Sequence, residues 1–359
     1  MLDVNQLPLN KKFSMRLIMP DSWAINCYSE SGETPNPYVL LGTKAALIVD
    51  TTDTLLPLRD YIETYITGDL PIMVASTHSH MDHTGNNGAF NDCPIYMSQI
   101  AWEEVQEQRR EGEFDTPRHR GLIQGDYVPT IIKPGDVIDI GERQIEAVEF
   151  GGCHSNSSIG YIDHGQRIFF PGDEMESGQV LMQGDFRGGR NCVELYRENL
   201  LRIKAREAEF DIICPPHNGT PMHRKIIDYF IENCDRILAG IEGEKDIGSM
   251  SYLLGPHEPR GPERVKELRF DPMSRRSEWK GTSIVYSLNR IYRKDIGLHN
   301  NDPAAAENPG PEGVAAADCG TSGEGAAAEN PGPKGDAAAG QACGGMQKRQ
   351  NDLTDRGRK

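Results

Sequence analysis

The chain has 359 residues, of which 54 are acidic and 38 are basic, so its formal net charge is −16 at pH 7. An acidic protein repels phosphate backbones, which argues against non-specific binding to nucleic acid. No stretch approaches the roughly 18 to 20 apolar residues of a membrane span, and the N-terminus lacks the basic and then apolar pattern of a secretory signal. The eight cysteines form no close-spaced framework. These features predict a cytoplasmic protein with reduced thiols and with neither a membrane nor a nucleic acid as partner.

Apolar or alternating runs bounded by turn residues predict strands, and longer runs with apolar residues at helical spacing predict helices. Strands are predicted within 38–50, 71–76, 137–150, 159–170 and 211–214, with a last strand within 279–293. Helices are predicted at 54–66, 98–110, 192–206 and 222–240. Gly42, Gly141 and Gly165 lie between paired runs and indicate hairpin turns.

The clearest change of composition lies near residue 298. From there to the end the chain is rich in Ala, Gly and Pro, and AAAENPGPEG at 304–313 recurs as AAAENPGPKG at 326–335. Such a segment buries too little apolar surface to offset the entropy of ordering it. We therefore predict a globular domain over 1–297 and a disordered low-complexity tail over 298–359. The irregular, proline-bearing stretch 241–278 is predicted to be a lid or a surface excursion.

The most informative segment is STHSHMDHTG at 76–85, which follows the apolar run PIMVA. Residues two apart at a strand end point the same way, so His78 and His80 can converge on one point. Asp82 and His83 follow where the chain turns. Three imidazoles and a carboxylate so close together need hydrogen bonds or a metal ion. The segment therefore predicts part of a metal site.

Three later loops can supply more ligands: His154 in GGCHSNSSIGYI, Asp173 in RIFFPGDEM and His217 in CPPHNGTP. Each follows an apolar run and lies in a turn that contains glycine or proline. Imidazole and carboxylate together suit zinc, iron or manganese. Because no thiolate pair lies near, the pattern argues against a closed structural zinc site.

These segments, in this order and with Asp50 in LIVDTTD upstream, resemble the five-motif signature of the metallo-β-lactamase superfamily. The resemblance covers about residues 38–221 and implies an α+β fold, a four-layer αββα sandwich with its metals at one edge. It implies that Asp50 orders the site rather than binding metal. It also implies a ligand set: His78, His80 and His154 for the first metal, Asp82, His83 and His217 for the second, and Asp173 bridging both.

Some branches of the superfamily carry other residues or inserted domains, and these differences from the present chain limit which branch it resembles. Asp173 stands where many true β-lactamases place a cysteine, which favours the glyoxalase II-like and lactonase-like hydrolases. His80 stands where the flavodiiron branch is expected to carry glutamate, so oxygen reduction is disfavoured. The interval from Asp173 to His217 leaves little room for the inserted domain usual in the nucleases of the superfamily.

The resemblance implies a dinuclear hydrolase with two divalent metal ions, zinc first, with iron or manganese as alternatives. A metal-activated hydroxide would attack a small thioester, lactone, ester or amide, and Asp82 or Asp173 would act as catalytic residues that pass a proton to the leaving group. Arg187 and Arg190 in the DFRGGR run are predicted to bind an anionic part of a small-molecule substrate.

Other functions remain open at this point. A mononuclear-iron sulfur dioxygenase would reuse His78, His80, His154 and Asp173 in part, and a β-lactamase or phosphodiesterase of the same superfamily ranks lower. A sandwich used only for binding would be expected to have lost ligands, yet all seven candidates are present. Metal content separates the first two readings, because two zinc-like ions favour hydrolysis and one iron with oxygen uptake favours oxidation.

Overall fold

The computed structural model describes residues 6–27, 35–112, 122, 125–182, 191–245 and 273–298. Within these ranges the helices are α1 Leu9–Lys12, α2 Leu58–Ile62, α3 Met81–Thr84, α4 Gln99–Glu111, α5 Val193–Ala205 and α6 Ile226–Leu238. The helical path of α2 continues as a π-helical turn, Glu63–Thr67. None of the helices described is long and apolar enough to cross a membrane.

The strands of the described ranges form three sheets. The first sheet has the order β1 to β7: Phe13–Met19, Ser22–Cys27, Tyr38–Leu41, Ala46–Val49, Ile72–Ala75, Ile95–Met97 and Thr130–Ile131. The second has the order β14-β13-β11-β10-β9-β8, with β8 Val137–Asp139, β9 Gln144–Val148, β10 Gly160–Asp163, β11 Ile168–Phe170, β13 Ile212–Ile213 and β14 Met222–His223. The third has the order β12-β16-β15, with β12 Val180–Leu181, β15 Ser274–Trp279 and β16 Thr282–Ser287.

Alternation along the strands determines the layers. In β4, Leu47 contributes to the apolar core between the first and second sheets, while Ile48 contributes to a core with α2 and α4 on the outer face. In β11, Ile168 faces the first sheet and Phe169 faces α5 and α6. Successive side chains of a strand point to opposite faces, so both sheets are buried on two sides. The predicted four-layer αββα sandwich is confirmed.

Strand direction brings the functional loops to one edge. Strands β4 and β5 are parallel, so Asp50 and the segment that starts at Ser76 follow them at the same end of the first sheet. In the second sheet β10 is antiparallel to β9 and β11, and β11 is parallel to β13, so β9, β11 and β13 all end at one edge. A hydrogen bond of 2.8 Å from Ile159 N to Thr77 O joins the two sheets there.

Two sequence predictions of secondary structure need correction. The run 279–293 was predicted to be one strand, but it supplies the end of β15, a turn and β16, followed by a 3-10 turn at Arg293–Ile296. Residues 274–278, assigned to the irregular stretch 241–278, form most of β15. Residues 246–272 of that stretch and all but the first residue of the tail lie outside the described residues.

Candidate metal centre

The HSHMDH segment is held at the end of β5. Thr77 N donates to Asp50 Oδ1 at 2.8 Å, and Thr77 Oγ1 donates to Asp50 Oδ2 at 2.9 Å. The chain bends at residues 77–79, and α3 begins after His80, which places Asp82 and His83 on a single helical turn. One short segment therefore presents side chains first from a bend and then from a helix.

Three imidazoles form the first group: His78, His80 and His154. The Nε2 atoms of His78 and His154 lie 3.1 and 3.0 Å from Nδ1 of His80. His154 Nδ1 donates to the Leu181 carbonyl at 3.0 Å. The Thr77 hydroxyl donates to Asp50, so its oxygen can accept from His78 Nδ1 at 3.1 Å. The outer nitrogens of these two rings thus carry the protons, and their Nε2 lone pairs face inward.

Four side chains form the second group: Asp82, His83, Asp173 and His217. His217 Nε2 lies 3.3 Å from Asp82 Oδ2. His83 Nδ1 donates to Asp50 Oδ2 at 2.9 Å, which turns His83 Nε2 toward the centre. Asp50 has a left-handed φ of 62° and lies outside both groups. Its carboxylate contacts the backbone and the ring that it orients.

Asp173 lies where the two groups meet. Its Oδ2 atom is 3.2 Å from His83 Nε2, 3.4 Å from His217 Nε2 and 3.4 Å from His154 Nε2. The residue sits in a 3-10 turn after β11, behind Gly172 with φ of 59°. A Cβ on that glycine would come within 2.9 Å of the Thr77 side chain, so only glycine allows this close approach. One carboxylate oxygen therefore faces nitrogens of both groups.

Two buried atoms at this point have no hydrogen-bond partner in the part of the chain that the structure describes: His83 Nε2 and Asp173 Oδ1. Buried polar atoms are normally paired, so orphaned ones need an explanation. Imidazole nitrogens and carboxylate oxygens that converge without hydrogen-bond geometry are suited to divalent cations. The residues present therefore fit two such ions.

The electrostatics of the centre agree with this fit. Burial lowers the pKa of His78 well below its ordinary value and that of His154 to about 4, so both rings are neutral and can offer a lone pair. Burial opposes ionisation of Asp82 and Asp173, but His83 and His217 hold the pKa of both carboxyls well below the usual range. Neutral imidazole and ionised carboxylate are the states that bind a metal ion. Burial lowers the pKa of His83 and His217, but Asp173 and Asp82 raise it well above the ordinary value, so an ion in the second group would take the place of a proton on each ring.

A third cluster of similar residues, Glu146, His164 and Glu209, lies elsewhere on the second sheet. Here the guanidinium of Arg206 already bonds both carboxylates, at 2.8 Å to Glu146 Oε2 and 2.6 Å to Glu209 Oε2. The His164 side chain is 42% exposed. Because an arginine already supplies the positive charge, nothing in this cluster calls for a cation.

The structure thus brings all seven predicted ligands to one place, with Asp50 beside them. Arg187 and Arg190 lie outside the described residues. Sequence reasoning missed two buried carboxylates, Glu174 and Glu176, which lie one and three residues after Asp173. Their only signal in the sequence is the presence of acidic residues in a loop that follows a buried strand.

The model of the metallo-β-lactamase superfamily matches residues 32–217, over half of the chain. The chain belongs to the metallo-β-lactamase superfamily. The matched range contains both groups of the centre. Among solved structures, a metallo-β-lactamase from Pontibacter korlensis aligns with a TM-score of 0.50 at 15% identity, covering 62% of this chain and 99% of that chain. This likeness agrees with the fold described above.

Two curated relatives are named acyl-coenzyme A thioesterase MBLAC2. The Gallus gallus protein is 26% identical over 178 residues, and the Homo sapiens protein is 25% identical over 183 residues. Each match covers 44% of this chain and 64% of the relative. The chain therefore spans somewhat less than two thirds of the length of the curated relatives it matches.

Proposed function

We propose that the chain is a dinuclear metal-dependent hydrolase that cleaves thioesters. The observation that carries the proposal is the position of Asp173 Oδ2, within 3.4 Å of imidazole nitrogens from both groups. A carboxylate oxygen between two clusters of neutral or paired imidazoles is the arrangement that two adjacent cations require. Residues 1–297 would be the catalytic domain, and 298–359 a tail outside it.

Each group has a defined part in this proposal. The first group would hold one ion and the other three members of the second group would hold the second ion, while Asp173 faces both groups. Two divalent ions, zinc in the first instance, supply a water of lowered pKa and polarise a carbonyl oxygen when bound. Asp50 acts on the centre only through its contacts with His83 and Thr77, which fix the direction of the imidazole.

The two carboxylates differ in what they can do with a proton. The Asp82 side chain is 31% exposed, whereas that of Asp173 is 5% exposed. Only Asp82 is therefore open to a substrate atom that approaches from solvent. We assign to Asp82 Oδ2 the transfer of a proton from the attacking water to the leaving sulfur, and to Asp173 the positioning of both groups.

The thioester class is favoured over lactone, ester, amide, β-lactam and phosphodiester because the two curated relatives are named acyl-coenzyme A thioesterases. The second group of ligands favours hydrolysis over oxidation by a single iron, since that chemistry would leave Asp82 and His217 without a role. An anionic substrate such as an acyl-coenzyme A would also suit the predicted role of Arg187 and Arg190.

The test combines metal analysis with a substrate panel on one sample of the full chain. We expect two zinc ions per chain and fastest turnover of an acyl-coenzyme A in a panel with a lactone, a β-lactam and a phosphodiester. One iron per chain with oxygen uptake would overturn the proposal. So would preferred turnover of any other panel member by the zinc-loaded protein.

A further inference from the structure

Two buried carboxylates next to the metal centre have no part in the reaction as proposed. Glu174 is 0% exposed and Glu176 is 6% exposed. Both lie in the segment that starts at Asp173 and ends at Gly178, which we call the 173–178 segment. Buried carboxylates are costly unless they are well bonded, so their partners show what they stabilise.

Glu174 binds the backbone of the loop that carries His154. Its Oε1 accepts from His154 N and from Ser155 N, each at 3.1 Å, and its Oε2 accepts from Cys153 N at 3.1 Å. Three successive peptide N–H groups therefore converge on one carboxylate, and one of them belongs to the candidate ligand itself. Buried hydrogen bonds are costly to break, so three of them together fix the loop firmly. Glu174 thereby determines where the His154 ring can lie.

The same loop is held from its other side by the approach to α5. Asn191 Nδ2 donates to the Cys153 carbonyl at 2.8 Å, and the Tyr196 hydroxyl donates to the Glu174 carbonyl at 2.7 Å. These bonds connect the His154 loop, the 173–178 segment and α5. The loop has few ways to move without breaking one of them.

Glu176 and its neighbours bind the loop that carries His217. Glu176 Oε2 accepts from Asn218 Nδ2 at 2.9 Å, and Ser177 Oγ accepts from Gly219 N at 2.5 Å. Asn218 has a left-handed φ of 61° directly after His217. A Cβ on Gly178 would come within 2.4 Å of Asn218 Nδ2, so the two segments pack closely. Glu176 thus stabilises the backbone turn that aims His217 at the centre.

We propose that the 173–178 segment is a shared support that builds the two ion sites separately, with Glu174 as the positioning residue of the His154 site and Glu176 as that of the His217 site. Asp173, in the same segment, faces both. This inference rests on the proposed function. It predicts that each glutamate affects one ion and spares the other, although neither contacts an ion.

The experiment titrates Zn²⁺ alone into metal-stripped full-length protein, in competition with a chromophoric chelator. His154→Ala and His217→Ala show which binding step belongs to which site. We expect Glu174→Gln to weaken the zinc-binding step that is lost in His154→Ala. Glu176→Gln should weaken the zinc-binding step that is lost in His217→Ala. Partners of metal ligands typically change metal affinity about 10- to 100-fold, and we expect that range here. Co²⁺ absorption spectra should change for one ion only in each variant.

Glu146→Gln is the matched control, because Glu146 is a partly buried carboxylate of the second sheet bonded to Arg206 and not to either ligand loop. It should bind two zinc ions as the wild type does. Two further variants keep the test open should a glutamate variant fail to fold. Asn218→Ala removes the side-chain partner of Glu176, and Asn191→Ala removes a second support of the His154 loop, its bond to the Cys153 carbonyl. Loss of the same single step in these variants supports the inference.

Wild-type affinity for both ions in the glutamate variants, or equal weakening of both steps, would overturn the inference while leaving the proposed function standing. A wild-type chain that binds fewer than two zinc ions would overturn the proposed function and the inference with it. Failure of the thioester assay alone would reject the substrate and leave the zinc titrations unaffected.

Discussion

The two ends of the sandwich each carry buried charges that join the first sheet to the second. At one end Arg143 Nε donates to Asp163 Oδ2 at 2.7 Å, Nη1 donates to the Asp21 carbonyl at 2.8 Å and Nη2 donates to Ser22 Oγ at 2.6 Å. At the other end lie the seven side chains of the candidate metal centre, four of which are buried: His78, His83, His154 and Asp173. Both clusters connect distant parts of the chain.

The two clusters differ in whether their buried polar atoms have hydrogen-bond partners. Each nitrogen of Arg143 has an acceptor, so that end is complete as it stands. At the metal centre His83 Nε2 and Asp173 Oδ1 have no hydrogen-bond partner among the described residues. Burial and charge alone therefore do not identify a functional site. A functional site is indicated instead by imidazole and carboxylate atoms that converge on one point without hydrogen-bond geometry, because this arrangement suits a cation.

The largest effect is expected for Asp173→Ala. This variant removes the oxygen that faces both groups, so we expect both zinc ions to be lost and thioester turnover to fall at least about 100-fold. Circular dichroism should show a folded protein. Near wild-type turnover at matched metal loading, here or in His80→Ala, would contradict the dinuclear assignment.

Arg143→Met tests the end of the sandwich opposite the candidate metal centre. It leaves the buried Asp163 carboxylate without its positively charged partner, which typically costs about 3–5 kcal/mol in the free energy of unfolding. Urea denaturation measures this loss, and the zinc content of the folded fraction should stay at the wild-type value. Adding Asp163→Leu should recover part of the stability, since a hydrophobic pair can replace a buried ion pair. Zinc loss in the single variant would show that the two ends are not independent.

Asp50→Asn should have an intermediate effect. The amide keeps the size of the side chain but accepts less well from His83 Nδ1 and Thr77, so His83 is less firmly oriented. We expect zinc affinity to fall about 10- to 100-fold with little change in unfolding free energy. An unchanged affinity would mean that packing alone orients the ring.

The smallest effect is expected for Arg206→Ala in the third cluster. Arg206 bonds lower the pKa of Glu146 in the folded state, so the pair stabilises the protein above the unfolded pKa of about 4.3 and this contribution disappears as the pH falls through the folded value. For a partly exposed pair we expect a loss of about 0.2–1 kcal/mol at pH 7 and none in acid. A bound zinc ion at this cluster would contradict our reading of it.

Residues that repeat a pattern were predictable from the sequence. The continuous apolar runs YVLL and ALIV predicted β3 and β4, and the helical spacing in 222–240 predicted α6 within a few residues at each end. The candidate ligands could be named from the sequence because metal chemistry needs particular side chains at particular places. Their roles stay a prediction until metal is measured.

Other elements were not predictable because their cause is tertiary. Strand β1 exposes the apolar side chains of Met15 and Leu17, so it lacks the alternation of buried apolar and exposed polar residues that marks a half-buried strand. Strand β15 is polar in sequence and is ordered by its pairing with β16. Glu174 accepts from backbone N–H groups and Glu176 from the Asn218 side-chain amide, in loops far away along the chain, and such bonds leave no spacing pattern.

The candidate ligands come from both sheets: residues 78–83 follow a strand of the first, and His154, Asp173 and His217 follow strands of the second. The full set therefore exists only after the two halves have docked. The rate of zinc uptake during refolding would then report when the two sheets dock, the last stage of folding. A substitution deep in the core between the sheets should delay zinc uptake during refolding even where the helices form at their normal rate.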